Sequence, residues 1–167
     1  MIALTGRAPN MPQAAVHSGH QRSTADLVYS PLVDTKEYPE GVDVCLVEGA
    51  VSSDEDLAKI KAIRERTRTL VSFGDCAVTS NVPGMRNPIG PLPLLERAYL
   101  ENVTDNPQVP SQVVPRLLEH ALPVHRVVKV DVFLPGCPPS ADVIYHTVNE
   151  LLEGRMPDTA PVARFGA

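Results

Sequence analysis

The sequence has 167 residues, of which 43% are hydrophobic and 21% are charged, and its formal net charge is −5. This length and composition predict one folded domain with a hydrophobic core. The acidic balance, without a block of Lys or Arg, argues against nucleic acid as a partner. No apolar run approaches the roughly 20 residues that span a bilayer, and the N-terminus shows no secretory signal. We therefore expect a cytoplasmic protein with no membrane span.

After residue 24, the chain alternates between predicted strands and predicted helices. Residues 1–24 show no sustained hydrophobic period and predict an unmatched, disordered N-terminal segment. Ser52 followed by Glu55 matches a capping box, which predicts the start of a helix. The predicted strands are Ala25–Ser30, Val42–Val47, Thr69–Phe73 and Val127–Phe133, and the predicted helices are Ser52–Arg66, Pro93–Leu100, Val113–His120 and Ala141–Leu152. This alternation predicts an α/β fold, with a mostly parallel sheet flanked by helices, over residues 25–157 and a tail at residues 158–167.

The three cysteines, Cys45, Cys76 and Cys137, are widely spaced and do not look like a disulfide framework. Cys45 lies inside an apolar predicted strand and is interpreted as a packed core thiol. Glu48, Cys76 and Cys137 each come just after a predicted strand. Because ligands bind outside the carboxyl ends of parallel strands, we expect these three side chains at one edge of the sheet.

Cys137 lies in a predicted turn between a strand and a helix. Gly136 permits a close backbone approach, Pro138 and Pro139 fix the backbone, and Ser140 is the predicted N-cap of the helix. A thiol near a helix N-terminus favours the thiolate form, which is the form that binds metal. The alternative is a buried structural cysteine beside a rigid turn. The residues alone leave both interpretations open, together with a redox pair or a two-cysteine metal site formed with Cys76.

Three spaced motifs occur in a fixed order along the chain. They are Val47-Glu-Gly-Ala-Val51, Gly74-Asp-Cys-Ala77 with Asn81-Val-Pro-Gly-Met-Arg-Asn87, and Leu134-Pro-Gly-Cys-Pro-Pro139. These motifs resemble the small subunit of NiFe hydrogenases, in particular the short delta-type subunit of the cytoplasmic, NAD-linked bidirectional enzyme. Ser30-Pro-Leu-Val-Asp-Thr-Lys36 fits the same branch. The 20-kDa cluster subunit of NADH–quinone reductase belongs to the same superfamily, but it typically carries adjacent cysteines that this sequence lacks.

The resemblance implies a flavodoxin-like fold and a role in electron transfer. The family's small subunit holds one 4Fe–4S cluster, proximal to the NiFe centre of the large subunit. Electrons from hydrogen pass through this cluster to diaphorase subunits that carry FMN and bind NAD. By motif, Cys76 and Cys137 correspond to two cluster ligands. Glu48 corresponds to the family's Val-Glu-Gly acid, near the inter-subunit proton and electron region, and both a proton-transfer role and a purely structural role before the helix stay open for it. The chain alone should have no hydrogenase activity.

The sequence departs from the family at its N-terminus. The family supplies its other two cluster ligands from a Cys-x-x-Cys loop after the first strand, and a 4Fe–4S cluster normally takes four thiolates. No cysteine precedes Cys45, and no first strand or helix is recognisable. We therefore expect the first βα unit to be absent, the neighbouring strands to expose an edge, and the isolated chain to be marginally stable.

Three explanations of the missing ligands stay open. The N-terminus is the product of a frameshift, a deletion or a wrong start; His17 and His20 replace the thiolates; or the chain is a cluster-less scaffold that still docks to the large subunit. The leading functional hypothesis is an electron-transfer subunit of a NiFe hydrogenase. A scaffold, a subunit like the 20-kDa cluster protein, and a flavin-binding protein are the alternatives, the last without an obvious phosphate loop.

Overall fold

The computed structural model describes residues 2–6, 25–30 and 37–165. Its strands are β1 Ile2–Gly6, β2 Ala25–Tyr29, β3 Val42–Glu48, β4 Val51–Ser53, β5 Thr67–Phe73, β6 Leu117–Leu122 and β7 Val132–Leu134. Its α-helices are α1 Asp54–Arg66, α2 Asp75–Thr79, α3 Asn81–Gly84, α4 Pro91–Glu96 and α5 Ala141–Leu152. A π-helical turn, Arg97–Glu101, follows α4, and a 3₁₀ turn, Val124–Arg126, precedes β7.

The central sheet has the strand order β2-β1-β3-β5-β7. Strands β3, β5 and β7 pair in parallel, whereas β1 is antiparallel to both of its neighbours. A second, two-stranded sheet joins β4 and β6 in antiparallel fashion. The expected α/β class, with a mostly parallel sheet flanked by helices, is confirmed.

The two faces of the central sheet carry separate hydrophobic clusters. Strand β3 is apolar on both faces, as expected for an interior parallel strand, and it contributes Cys45 and Val47 to one cluster and Val44 and Leu46 to the other. Helix α1 covers the first cluster through residues that include Ile63, and α5 covers the second. The prediction that Cys45 is a core thiol is confirmed, because this residue is 0% exposed.

Helix α1 begins one residue later than the sequence suggested. Ser53, not Ser52, is the N-cap, and it forms a capping box with Asp56 rather than Glu55. Burial raises the pKa of the Asp56 carboxyl group. Hydrogen bonds that its carboxylate accepts from both serine N–H groups outweigh this effect, so the pKa is lowered. Helix α5 spans the predicted residues with Ser140 as its N-cap, but the Ser140 side chain makes no capping hydrogen bond.

Two sequence-based assignments between residues 113 and 133 are wrong. The segment predicted as a helix at Val113–His120 contains strand β6 instead, because its backbone pairs with β4. The strand predicted at Val127–Phe133 is shorter and forms β7. The tail contains a turn at Thr159, whose hydroxyl donates to the Phe133 carbonyl.

The expectation of no strand before Ala25 is also wrong. Strand β1 lies between β2 and β3 and pairs with both, at the position where the sequence predicted a missing strand and an exposed edge. Residues 7–24 and 31–36 lie outside the described parts of the chain, and with them His17 and His20. The division into residues 1–24, 25–157 and 158–167 stays a prediction.

Candidate functional site

The candidate site lies at the carboxyl edge of the parallel strands. Glu48 at the end of β3 pairs with Phe73 at the end of β5, and Phe73 pairs with Leu134 at the end of β7. The three strands therefore end level with one another. Cys76 and Cys137 follow the second and third of these ends, so the loops that contain both cysteines leave from the same edge of the sheet.

Asp75 joins the two cysteine loops. Its carboxylate oxygen Oδ1 accepts a hydrogen bond of 2.6 Å from the Gly136 N–H, and its own N–H donates to the Gly136 carbonyl at 2.9 Å. Gly74 N–H donates to the Leu134 carbonyl at 2.8 Å. Asp75 is buried, and a hydrogen bond to a buried carboxylate is among the stronger ones. These contacts fix the backbone beside Cys76 relative to the backbone beside Cys137.

Gly136 has a backbone conformation and a surrounding space that suit only glycine. Its φ is +137°, and a Cβ atom there would lie 2.5 Å from the Cα atom of Pro139. The prediction that Gly136 permits a close backbone approach is thus consistent with the geometry. The rigid turn that follows leaves the Cys137 side chain exposed.

The three cysteines differ in environment. Cys45 is buried, and burial raises the pKa of its thiol. Cys76 is partly buried and Cys137 is exposed. Cys76 lies in the short helix α2, where the Thr79 hydroxyl donates to the Asp75 carbonyl and reinforces the turn.

The donor set of this edge does not fit a 4Fe–4S cluster by itself. Such a cluster takes four thiolates, and Cys76 and Cys137 supply two. Within the described residues, no group of three or more His, Cys, Asp or Glu side chains is arranged to hold a metal ion. The roles of Cys76 and Cys137 as cluster ligands stay predictions.

Strand β1 runs antiparallel to β3, so it ends at the edge of the sheet opposite to the cysteine loops. Gly6 at its end pairs with Ala25 at the start of β2, at the edge of the sheet opposite to Glu48.

Glu48 lines a cleft of about 410 Å³ between the sheet and α1. The walls are mostly apolar, with Val47, Ile60 and Ile63 among them, and Lys59 also lines the cleft. Glu48 is exposed. Its proton-transfer role stays a prediction.

Sequence analysis missed the structural roles of Asp75, Arg86 and Asn87, although all three lie inside the quoted motifs. The Asn87 side chain donates to and accepts from the Ala121 backbone at 3.0 and 2.8 Å. Arg86 donates to the Ser52 carbonyl at 3.1 Å. Both residues thus attach the loop after Cys76 to the small β4–β6 sheet. Their partners are distant in sequence, so the motif alone did not indicate these contacts.

An apolar surface follows Cys76 along the chain, and we call it the 82–100 surface. Helices α3 and α4 and the π-helical turn contribute no buried residue, although their sequences are rich in apolar side chains. Its exposed large apolar residues are Val82, Met85, Ile89, Leu92, Leu94, Tyr99 and Leu100. An exposed apolar surface of this kind marks an interaction site in a soluble protein.

The fold and the site together define a flavodoxin-like α/β domain that presents two thiols at the carboxyl edge of its sheet. The sequence profile of the family described as NADH ubiquinone oxidoreductase, 20 Kd subunit, matches residues 11–151. The chain belongs to this family.

Hydrogenase subunits are among the similar proteins. The chain is 39% identical to the NAD-reducing hydrogenase HoxS subunit delta of Cupriavidus necator, over 77% of this chain and 64% of that subunit. It is 37% identical to a vhu F420-non-reducing hydrogenase subunit of Methanocaldococcus jannaschii, over 79% of this chain and 46% of that subunit. The chain thus spans about half to two thirds of the length of these relatives.

A solved structure supports the same relationship. A chain in the crystal structure of NAD⁺-reducing [NiFe]-hydrogenase in the H₂-reduced state matches with a TM-score of 0.76 and 38% identity. The match covers 81% of this chain and 78% of that chain. The resemblance to hydrogenase small subunits is confirmed. Among the described helices, none has the length and apolar character needed to cross a membrane.

Proposed function

We propose that the chain is the small, electron-transfer subunit of a cytoplasmic, NAD-linked NiFe hydrogenase. In this role it docks to the large subunit, which holds the NiFe centre, and works beside diaphorase subunits that carry FMN and bind NAD. The observation that carries the proposal is the pair of thiols, Cys76 and Cys137, on loops that leave one edge of the sheet, followed along the chain by the exposed apolar 82–100 surface. The similarity to a chain of an NAD⁺-reducing hydrogenase supports it.

The apolar side chains of the 82–100 surface account for docking. Met85 is 73% exposed and Leu92 is 69% exposed. Burying such side chains contributes about 25 cal/mol per Å² of apolar area. Arg86 and Asn87 anchor the same segment to β4 and β6, so the surface is held in place before a partner binds. A preformed surface loses less conformational entropy on association.

The cysteine edge supplies half of a cluster ligand set in this role. In this proposal, Cys76 and Cys137 are two of the four thiolates that a 4Fe–4S cluster requires. The chain's own contribution is to hold them on two loops joined by Asp75. Glu48 lies at the same edge and is proposed to exchange protons with the large subunit.

A cluster-less scaffold is the second candidate. It is favoured by the observation that the described residues bring two thiolates, not four, to this edge. A scaffold would dock through the same 82–100 surface, so docking and cluster binding are tested separately.

Docking is tested by capture of the purified, cognate hydrogenase large subunit on the immobilised chain. Met85→Glu places a charge on the 82–100 surface and should reduce capture at least tenfold. Met156→Glu is the matched control, because Met156 is 63% exposed and lies outside this surface. Equal capture by both variants would overturn the proposed docking surface, and no capture by the unmodified chain would overturn the proposed function.

Cluster binding is tested on the captured complex. Iron that is lost in the Cys76→Ser and Cys137→Ser variants while capture persists supports the electron-transfer role. An iron-free complex that persists in the unmodified chain supports the scaffold.

A further inference from the structure

A second cleft, of about 880 Å³, lies between the loop that follows α2 and the segment that runs from the end of β6 into the 3₁₀ turn. We call it the 120–126 cleft. The Asn87 side chain joins its two walls, because it accepts from the Ala121 N–H at 2.8 Å and donates to the Ala121 carbonyl at 3.0 Å. The volume is that of a small-molecule site, and the walls are in place before any ligand binds.

The ionisable side chains that line the 120–126 cleft are all basic. They are His120, His125 and Arg126, all exposed, and no Asp or Glu is part of the described lining. Glu119, the neighbour of His120 in β6, does not line the cleft. The His125 ring packs edge-on against the Phe133 ring, with centroids 5.7 Å apart, so its position is fixed. In a chain with a formal net charge of −5, the cleft thus concentrates basic groups.

Arg126 has a guanidinium group that is available to a ligand. Within the described parts of the chain, no ion pair and no side-chain hydrogen bond occupies it. Its backbone N–H donates to the Pro123 carbonyl at 3.0 Å, which fixes the residue at the end of the 3₁₀ turn. An arginine held at its backbone and unpaired at its head group is suited to bind an anion.

Ser80 gives a second, independent indication of a ligand. It lines the 120–126 cleft, it is 4% exposed, and its Oγ atom has no hydrogen-bond partner among the described residues. A buried hydroxyl without a partner costs free energy, so buried hydroxyls are as a rule paired. A hydroxyl donates readily to an anionic oxygen. A ligand that brings such an oxygen to the cleft would therefore supply the partner that Ser80 lacks.

We propose that the 120–126 cleft binds a phosphate group, either as the free ion or at the end of a small organic molecule. Arg126 presents a planar set of N–H donors that matches phosphate oxygens. His120 and His125 add ring N–H donors, and Ser80 adds its hydroxyl. A phosphate has more acceptor oxygens and more charge than a carboxylate, so it satisfies this donor set better. The inference goes beyond the proposed function, because neither docking nor electron transfer requires this cleft.

NMR titration of the purified, full-length chain tests the binding. The probe is inorganic phosphate, added at constant pH and ionic strength, and the ring signals of isotope-labelled histidine report on each imidazole. The signals of His120 and His125 should shift and saturate below about 10 mM phosphate, as for a dissociation constant near the millimolar range. His146 lies on α5 outside the cleft, and its signal should not move. The absence of a saturable shift, or an equal shift of His146, would overturn the proposal.

Two further probes identify the chemical class of the ligand. Acetate offers a carboxylate in place of a phosphate, and equal binding of acetate would overturn the assignment to phosphate. Adenosine monophosphate carries the phosphate on a larger organic group that can contact the apolar side chains of Met85 and Leu122 in the cleft. Tighter binding of this nucleotide than of inorganic phosphate would support an organic phosphate as the ligand, whereas equal binding would support the free ion.

A pair of arginine variants tests the role of the guanidinium group. Arg126→Gln should weaken phosphate binding about tenfold, because a charge-assisted hydrogen bond is lost. Arg68→Gln is the matched control, since Arg68 is exposed and lies outside the cleft. It removes the same charge from the chain and should change the affinity by less than about twofold, because solvent and salt screen a distant charge. Equal effects of the two variants would overturn the proposed site.

Ser80→Ala separates a binding role from a structural role. It should weaken phosphate binding without lowering the midpoint of thermal unfolding, because the hydroxyl has no partner to lose in the free chain. Unchanged binding together with a lowered midpoint would assign the hydroxyl to the fold and overturn its role in the site. These variants leave Cys76, Cys137 and the 82–100 surface intact, so the outcome is independent of capture by the large subunit.

Discussion

The carboxylate of Asp75 accepts a hydrogen bond from the N–H of Gly136 across two loops that are 61 residues apart in sequence. The N–H of Asp75 returns a hydrogen bond to the Gly136 carbonyl, so each residue is both donor and acceptor. Since Cys76 and Cys137 directly follow these two residues, this pair sets the spacing of the candidate ligands. The hydrogen bonds of Asp75 thus hold the two cysteine loops together at this edge of the sheet.

Asp75→Ala should lower the free energy of unfolding by about 2 kcal/mol, the scale of a lost hydrogen bond to a buried charged group. Asp75→Asn keeps an acceptor oxygen and should lose less. Urea denaturation of the purified chain measures both values. Asp105→Ala, at an exposed aspartate, is the control and should change stability by less than about 0.5 kcal/mol. Equal stability of Asp75→Ala and the unmodified chain would show that the carboxylate does not hold the loops together.

Gly136→Ala should destabilise the chain more than a substitution at another glycine with positive φ. The added Cβ would lie 2.5 Å from Pro139 Cα and 2.6 Å from Pro139 N, so the backbone of the turn must move. Gly49→Ala is the matched control at the same edge, since its φ is +88° but no atom lies within 4 Å of the added Cβ. The control should show only the strain of positive φ, about 1–2 kcal/mol.

Thermal denaturation of the two alanine variants separates crowding from backbone strain. We expect the midpoint of Gly136→Ala to fall several degrees below that of Gly49→Ala. Similar midpoints would mean that the turn around Cys137 relaxes easily and is not rigid.

The elements that the sequence predicted best are those with a regular pattern of apolar residues. Strand β3 and helix α5 were placed to within one residue, because an unbroken apolar run and a clear helical period each identify one kind of element. Strand β6 was missed because it exists through pairing with the three-residue β4, which has no sequence signal of its own. Strand β1 was missed because the first 24 residues show no sustained hydrophobic period, and its pairing with β2 and β3 cannot be seen in the sequence.

The candidate site was predictable in its residues but not in its connections. Cys76 and Cys137 each follow a parallel strand, and the rule for carboxyl ends of strands brought them to one edge. The role of Asp75 depends on Gly136, a partner from another strand–loop unit, and no local pattern indicates it. The same is true of Asn87, whose partner Ala121 lies 34 residues away.

The ion pair between Arg64 and Asp131 should make stability depend on pH. Burial disfavours the charged carboxylate, but hydrogen bonds from the Leu70 N–H and from Arg64 outweigh it, so the pKa of Asp131 lies below its ordinary value. A carboxyl group whose pKa is lowered by folding contributes stability above its ordinary pKa of about 4. That contribution is lost as the pH falls through the lowered pKa of the folded state.

Asp131→Asn tests this contribution. At about pH 7 the variant should lose roughly 1–3 kcal/mol of unfolding free energy, because the carboxylate that accepts from Arg64 and from the Leu70 N–H becomes a neutral amide while Arg64 keeps its charge. The difference from the unmodified chain should begin to shrink as the pH falls below about 4, where the unfolded state takes up a proton, and should vanish only below the lowered pKa of the folded state, where Asp131 is protonated in both states. Urea titrations across this range measure the difference. A constant difference at every pH would assign the effect to packing rather than to charge.

The three cysteines should react with an alkylating reagent in the order Cys137, then Cys76, then Cys45. Exposure decides this order, since Cys137 is exposed, Cys76 is partly buried and Cys45 is 0% exposed. Burial also raises the pKa of the Cys45 thiol, which lowers the fraction of reactive thiolate. Mass spectrometry of peptides after timed exposure to iodoacetamide gives the three rates, and the same experiment in urea should remove most of the difference. If Cys45 reacted in the folded chain as fast as Cys137, strand β3 would open readily to solvent, and the sheet could not hold the cysteine edge as a fixed site.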